Sequence, residues 1–185
     1  MSALLGVTIK KRFHFHETIG NGTMAFGIIQ LGLASAHTSN VEYYNRIVNF
    51  LASKSWSVGM ASYHNKRSLF NMDISGGFPY LVSQGLVYSE PGYLKLFPAL
   101  PERWNKGSVE GLKLRGNVTL KKLMWNGKSV QIVLNSAING LEKIELPFAI
   151  ESLKNGIKSS KGKNTFTTRM RAGVDDIIEI NVPKI

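Results

Sequence analysis

The hydrophobic pattern of this 185-residue chain changes its period once, near Pro101. Before that residue, apolar side chains recur at the three- and four-residue spacing of helices, and after it they alternate with polar side chains as in strands. The linker between the two patterns, residues 98–108, reads PALPERWNKGS and contains the prolines and polar residues of a connection. The sequence therefore predicts an α+β protein in two regions, with helices in residues 1–100 and strands in residues 101–185.

Two helices are predicted early in the first region. Residues 23–36 contain MAFGIIQLGLASA, which is apolar on nearly every side and therefore needs cover all round. Residues 40–53 form an amphipathic pattern, with one apolar stripe and one polar face. This second helix is expected to begin with a capping box, in which Ser39 caps the helix and Glu42 reaches back to it.

A third helix is predicted over residues 75–89, with Pro79 in its first turn, where proline is tolerated. It is again apolar nearly all round, so two of the three predicted helices lack a polar face. This favours a piece of a larger helical assembly, with further helices before Met1. Residues 54–72 are predicted to form a long irregular connection, and such loops often carry function.

Alternation predicts about six short antiparallel strands from Gly111 onward, which would form a small β-sandwich or sheet. Asn126-Gly127 lies between two alternating segments and is a hairpin turn signal. The alternating segments read LKLRGNVTLKKLMW, SVQIVLNS, LEKIELPF, NTFTTRM and DIIEINV.

Composition excludes some kinds of site. The chain contains no cysteine, so it has no disulfide, thiol nucleophile or zinc–thiolate site. Its net charge is +11, but the lysines of the second region are spread singly, which favours a solvated surface over a nucleic-acid or sulfated-glycan patch. No stretch is apolar for long enough to span a membrane, and the basic KKR follows the first apolar run instead of preceding it as in a signal peptide.

Asp73 is the first candidate for chemistry. It lies inside the apolar stretch SLFNMDISGGFP, residues 68–79, where an unpaired buried charge would be costly. Either a partner satisfies this carboxylate or the carboxylate takes part in a reaction. The alternative from spacing alone is that Asp73 caps the helix predicted at Ser75, because aspartate is favoured at helix N-termini.

The stretch FNMDISGGFPYLVSQGLVYSEPGYLKLFPALPERWNKGSVEGLKLRGN resembles the end of the catalytic domain in glycoside hydrolase family 95, which contains α-L-fucosidases and α-L-galactosidases. Three features carry the resemblance: the aspartate after Phe-x-x with its Gly-Gly and the following QGLVYSEPG, the segment LFPALPERW, and GSVEGLKLRG. The resemblance implies that residues 1–100 are the last helices of an incomplete (α/α)6 barrel and residues 101–185 the C-terminal β domain. The N-terminal sandwich and most of the barrel of full-length members have no counterpart in this sequence.

The same resemblance implies a role for Asp73. In the family an aspartate polarises asparagine side chains that hold the attacking water, and Asp73 matches that aspartate. Inverting hydrolysis also needs a general acid on the other side of the scissile bond. The family's general acid and water-holding asparagines lie upstream without a matching position here, and Glu17 is expected to be structural. The chain alone is therefore expected to have little or no fucosidase activity, since general acid help is worth roughly 10²–10⁴ in rate.

His64, Asn65 and Asn71 flank Asp73 in the same predicted loop. They are candidate substrate-binding residues, which would either contact sugar hydroxyls or hold Asp73 through hydrogen bonds. The family more commonly has a His-Pro segment shortly before the aspartate, where this chain has NKRSLF. A contact made by that histidine in the family is therefore not carried over.

No metal or other cofactor is predicted. His14 and His16 alternate in FHFH as in an extended segment, but no further ligands accompany them, so both are expected to be structural. Trp56 and Tyr63 would either stack on a sugar ring or pack within the protein, and packing is the more common use.

Two alternatives stay open beside the hydrolase fragment. The β region would serve as a non-catalytic carbohydrate-binding or interaction module, or the basic chain would bind nucleic acid, for which no motif is present. The expected partner is an oligosaccharide or glycan substrate, with no nucleic acid and no membrane. Self-association through exposed helix faces is expected if the barrel is incomplete. The parent enzyme is expected to be extracytoplasmic, either periplasmic or secreted.

Overall fold

A computed structural model describes the chain over residues 2–18, 25–64, 69–155, 164–183 and 185. The chain divides into two compact units. The first contains Met1–Leu86 and Pro98–Pro101, and the second contains Val87–Phe97 and Glu102–Ile185. The strands that directly follow the last helix thus lie with the second unit.

The described part of the first unit contains four helices and one small hairpin. Residues 40–53 were predicted as a helix and the observed one matches within one residue, whereas the last helix begins and ends three residues before its predicted range of 75–89. The elements are α1 (Ser2–Thr18), α2 (Ala25–His37), α3 (Val41–Lys54), β1 (Tyr63–His64), β2 (Leu69–Phe70) and α4 (Met72–Leu86).

The expectation of an extended segment at His14 and His16 is wrong, because both lie in α1. Ile9 and Phe13 are four residues apart, and a helix places them on the same face. Both are buried, with 1% and 0% of their surface exposed, and the Phe13 ring meets Phe50 edge-on at 5.8 Å between centroids. Burial of Ile9 and Phe13 on one face favours a helix in this segment, although the alternation of FHFH is typical of a strand.

The capping box expected at the start of α3 is also wrong. Asn40 is the cap, and its Oδ1 accepts a hydrogen bond from the backbone N–H of Tyr43 at 3.2 Å. Ser39 instead has a left-handed backbone with φ of 55°, in the turn that ends α2. Glu42 lies 3.9 Å from Arg46 in an i, i+4 pair on the outside of the helix.

Pro79 lies in the interior of α4, since this helix begins at Met72 rather than near Ser75. A proline there removes the hydrogen bond to the carbonyl of residue 75. Ser75 and Pro79 are both exposed, so water can reach the freed carbonyl. The helix ends at Leu86 because the following VYSE, rich in β-formers, pairs with a neighbouring strand.

Close packing joins α2, α3 and α4 at their glycines. A Cβ atom added at Gly32 would lie 2.8 Å from Leu81 Cδ1, and one added at Gly85 would overlap the phenol ring of Tyr44. The hydroxyl of Tyr44 donates to the carbonyl of Leu81 at 3.1 Å. Glycine is disfavoured in helices, and here its missing side chain lets the helices approach.

Within this chain, the two apolar helices are not covered on every side. Their inner faces are buried, for example at Ile28 and Leu81. Phe26 of α2 is nevertheless 53% exposed, and Met72 and Tyr80 of α4 are 74% and 51% exposed. Large apolar side chains therefore face outward on both helices.

The second unit contains two sheets in its described residues. The four-stranded sheet has the order β10-β8-β4-β3 and the five-stranded sheet the order β5-β6-β7-β11-β9, and every pairing is antiparallel except β4 with β8. The strands are β3 (Val87–Glu90), β4 (Tyr93–Leu96), β5 (Lys106–Lys113), β6 (Val118–Asn126), β7 (Ser129–Ser136), β8 (Gly140–Glu145), β9 (Ser152–Lys154), β10 (Thr165–Met170) and β11 (Asp175–Asn181).

Alternation along these strands buries one face of each sheet. In β7 the residues Val130, Ile132 and Leu134 are buried while their neighbours are partly exposed. The predicted hairpin at Asn126-Gly127 is confirmed, since Asn126 pairs with Ser129 across it. The α+β class is thus confirmed, and within the described residues no helix is long and apolar enough to cross a membrane.

Candidate functional site

Asp73 lies in the first turn of α4, and Asn71 caps this helix. The Oδ1 atom of Asn71 accepts the backbone N–H of Ile74 at 3.2 Å, which is the interaction of an N-cap side chain. The capping role considered for Asp73 from spacing alone is therefore filled by Asn71. Asp73 is left with a carboxylate near the positive end of the helix dipole.

The carboxylate of Asp73 is exposed rather than buried, so it carries no large desolvation penalty. Its Oδ2 accepts a hydrogen bond from Nδ2 of Asn71 at 3.1 Å. A single asparagine thus caps the helix with its oxygen and holds the acid with its nitrogen. Asn71 and Asp73, two of the predicted site residues, are brought together in this way.

Ser62 fixes the loop that precedes α4. This buried residue donates from Oγ to the carbonyl of Asn71 at 2.5 Å, and its own carbonyl accepts the N–H of Asn71 at 3.0 Å. Its hydroxyl also lies 2.9 Å from that of Ser75 in α4. Serines are common in loops of every kind, so no sequence pattern indicates this contact.

His64 is engaged with a helix rather than turned freely toward a ligand. Its Nδ1 accepts the backbone N–H of Ala25, the first residue of α2, at 3.1 Å. The neutral ring must then carry its proton on Nε2. The β1–β2 pair holds His64 opposite Leu69, while Asn65 lies outside the described residues.

The predicted irregular connection, residues 54–72, is more ordered than expected. Trp56 bridges to Ser62, and β1 pairs with β2. The Trp56 ring meets Phe78 edge-on at 6.0 Å, which supports packing as its use. Phe70 and Met72, which are close to Asp73 in the sequence, are 64% and 74% exposed. The exposed surface that they contribute near this carboxylate is apolar.

The other acids near the helices are held in ion pairs. Glu17 Oε2 lies 2.6 Å from Arg46, whose guanidinium also covers the Phe13 and Tyr43 rings. Glu90, in β3, accepts two hydrogen bonds from Arg115 at 3.1 and 3.3 Å. No set of three His, Asp or Glu side chains within the described ranges could hold a metal ion.

The second unit also contains titratable groups that sequence reasoning missed. Glu142 of β8 is 5% exposed, and burial raises its pKa to about 7. Burial, followed by a hydrogen bond from its hydroxyl to Glu145, raises the pKa of Tyr93 to about 12. Alternation in LEKIE places Glu142 on the same face as Ile144, and this was the available signal.

Residues 88–177 match the family described as "Glycoside hydrolase family 95, C-terminal domain". This part of the chain is similar to the C-terminal domain of glycoside hydrolase family 95. The family 95 match covers nearly all of the second unit and confirms the resemblance seen in the sequence. It ends within β11, the strand at Asp175–Asn181.

Two further proteins are similar to this chain. Alpha-L-fucosidase 2 of Arabidopsis thaliana is 39% identical over 66 residues, which is 35% of this chain and 8% of the length of that relative. A solved GH127 beta-L-arabinofuranosidase from Geobacillus stearothermophilus T6 aligns with 82% of this chain and 31% of its own, at 9% identity and a TM-score of 0.37. The chain thus spans a small part of each.

Proposed function

We propose that this chain is the C-terminal part of an inverting exo-glycosidase that removes terminal α-L-fucosyl or α-L-galactosyl residues from glycans. The observation that carries the proposal is an exposed, asparagine-held carboxylate, Asp73, at a helix start 15 residues before the matched family 95 domain. In this function Asp73 polarises the amides that hold the attacking water. Asn71 would orient the carboxylate, and His64 and Asn65 would line the approach to it.

The proposed architecture follows from the same assignment. The helices would be the last ones of an (α/α)6 barrel, and the two sheets would form the C-terminal β-sandwich. The exposed Phe26, Met72 and Tyr80 would then face barrel helices supplied by the remainder of the enzyme.

A chain without that cover is expected to self-associate, and sedimentation velocity over a range of concentrations checks this. A monomer at every concentration contradicts it.

The chain alone is expected to be inactive because it lacks a general acid. Inverting hydrolysis needs two groups roughly 6.5–9.5 Å apart with water between them. Glu17 and Glu90 are already ion-paired with arginines, so neither is suited to donate a proton beside Asp73. The donor would come from the remainder of the enzyme.

The experiment compares the chain alone with the chain co-expressed with the N-terminal remainder of a full-length family 95 enzyme. Release of L-fucose from 2′-fucosyllactose, and of L-galactose from the matching galactoside, is measured for both. The proposal predicts no release by the chain alone and release of one of the two sugars by the pair. Equal activity of the chain alone, or none from a pair that copurifies, contradicts it.

The alternative is a non-catalytic carbohydrate-binding or interaction module, with its function in the second unit. It predicts glycan affinity that persists after Asp73→Asn and maps to the strands, without sugar release by the complemented chain. Sugar release therefore distinguishes the two candidates, because only the hydrolase requires it and loses it with Asp73.

A further inference from the structure

A concave pocket lies on the five-stranded sheet, within the second unit. Its volume is about 640 Å³, which is in the range of small-ligand sites. We call this pocket the sheet groove. It is defined by the lining residues whose side chains are on the outer face of the sheet: Lys106, Ser108, Met124, Asn126, Ser129, Gln131, Glu179 and Asn181.

Strand register arranges these side chains in two parallel rows. In the first row Ser108, Met124, Gln131 and Glu179 are direct neighbours across β5, β6, β7 and β11. In the second row Lys106, Asn126, Ser129 and Asn181 follow in the same order. With neighbouring strands about 4.8 Å apart, each row is on the order of 14 Å long, which suits a short oligosaccharide.

The composition of the groove is not that of an ordinary strand surface. Asparagine and glycine are depleted in strands, and Asn126 is explained by its hairpin turn. Gln131, Ser108 and Asn181 lie within strands and not in this turn. Farther along the same face, the next row consists of Glu110, Lys122, Val133 and Ile177, with no amide or hydroxyl. Amides and hydroxyls make up five of the eight side chains that define the groove.

Several groove side chains are held in place by neighbours. Asn181 donates from Nδ2 to Ser152 at 2.8 Å, and Ser129 donates to Oδ1 of Asn126 at 3.3 Å. Glu179 lies 3.5 Å from Lys154 on β9. Side chains that are already oriented lose less conformational entropy when a ligand binds.

The chemistry of the groove fits a neutral, hydroxyl-rich ligand. Amides offer both donors and acceptors, and Glu179 offers acceptors that suit sugar hydroxyls. Met124 is 41% exposed in the middle of a row and provides apolar contact for the C–H face of a sugar. Lys106 and Glu179 carry opposite charges, so the lining has no net charge to attract a polyanion.

We infer that the sheet groove binds a neutral oligosaccharide. This binding is separate from the reaction proposed at Asp73 and does not depend on it. The groove would bind the uncharged sugars of a glycan, whichever terminal sugar the proposed hydrolase site removes.

The test is an NMR titration of the full chain with neutral cello-, xylo- and manno-oligosaccharides and 2′-fucosyllactose, with an oligogalacturonate as anionic comparison. Backbone amides of β6, β7 and β11 are expected to shift with at least one neutral ligand, and the affinity should change little with salt. Gln131→Ala should weaken that binding about tenfold, while Asn135→Ala, an amide on the same strand and face but outside the groove, should leave it unchanged.

Three outcomes overturn the inference. These are no neutral ligand binding at about 10 mM, equal affinity of wild type and Gln131→Ala, or binding of the anionic ligand alone with a steep salt dependence. Met124→Ser provides a second variant, expected to weaken binding several-fold. Because Asp73→Asn should leave the groove unaffected, failure of the hydrolase proposal and failure of this one are distinguishable.

Discussion

At the residue scale, Asn71 has two roles: its side-chain oxygen caps α4, and its side-chain nitrogen holds Asp73. Different substitutions remove one role or both. Asn71→Ala removes the cap of α4 and should lower the free energy of unfolding by about 1 kcal/mol. Asn71→Ser keeps a capping oxygen and loses the Nδ2 donor to Asp73 without adding a charge beside that carboxylate, so it should preserve most of the stability. Urea unfolding of both variants checks this, with Asn40→Ala in α3 as the matched cap control. Equal losses for the alanine and serine variants would contradict the capping role.

Glu142 gives the second unit a pH-dependent stability. Its pKa is raised to about 7 by burial, above the 4.5 of an ordinary glutamate, so the folded state favours the protonated form. The stabilising contribution is present below about pH 4.5 and is lost as pH rises through 7. Glu142→Gln should therefore be more stable than wild type at pH 8, by roughly 1–2 kcal/mol after allowance for solvent screening.

Thermal unfolding from pH 5 to pH 8 measures this effect. Glu102→Gln, which removes an exposed carboxylate in a turn, is the control and should leave the pH profile unchanged. A Glu142→Gln variant that loses stability as steeply as wild type between these values would show that another group is responsible.

At the element scale, alanine substitutions at two glycines of α4, Gly76 and Gly85, are expected to change stability in opposite directions. Gly85→Ala would push its new methyl group into Tyr44, whose hydroxyl is tied to Leu81, and should cost about 1–3 kcal/mol. Gly76→Ala meets no atom within 4 Å and should stabilise the helix by about 0.5–1 kcal/mol. Chemical unfolding of both variants tests the packing of α3 against α4. Similar effects in the two would mean that Tyr44 does not pack there.

The elements that sequence reasoning recovered are those with a sustained period. Strict alternation in SVQIVLNS matches β7, and the apolar stripe of residues 40–53 matches α3. In the missed helix, α1, Ile9 and Phe13 are the buried residues among those whose burial is described, residues 4–18, so no stripe signals it. The end of α4 was missed because helix and strand are both compatible with VYSE until its pairing with β4 is known.

The candidate site was recovered only in part, for a similar reason. Asp73 and Asn71 are two residues apart, so sequence proximity already brings them together. His64 contacts the start of α2, 39 residues earlier in the chain, and Ser62 contacts Asn71 across a hairpin. Such contacts depend on the fold and leave no local pattern.

At the scale of the whole molecule, the two units differ in the evidence for their function. Most of the second unit matches the model of the family 95 C-terminal domain. The first receives its proposed role from one carboxylate and from helices whose large apolar residues face outward. Lys121 of the second unit lies 2.6 Å from Asp175 with both side chains exposed, which supports the expected solvated surface.

The most direct measurement of the central claim is kcat for sugar release by the chain complemented with the N-terminal remainder of a family 95 enzyme, with Asp73→Asn beside it. The account predicts that Asp73→Asn lowers kcat by roughly 10² or more while KM changes little, because the carboxylate acts on the attacking water. Glu42→Gln, which removes an exposed acid of α3, should leave kcat unchanged. A kcat for Asp73→Asn equal to that of wild type would contradict the account.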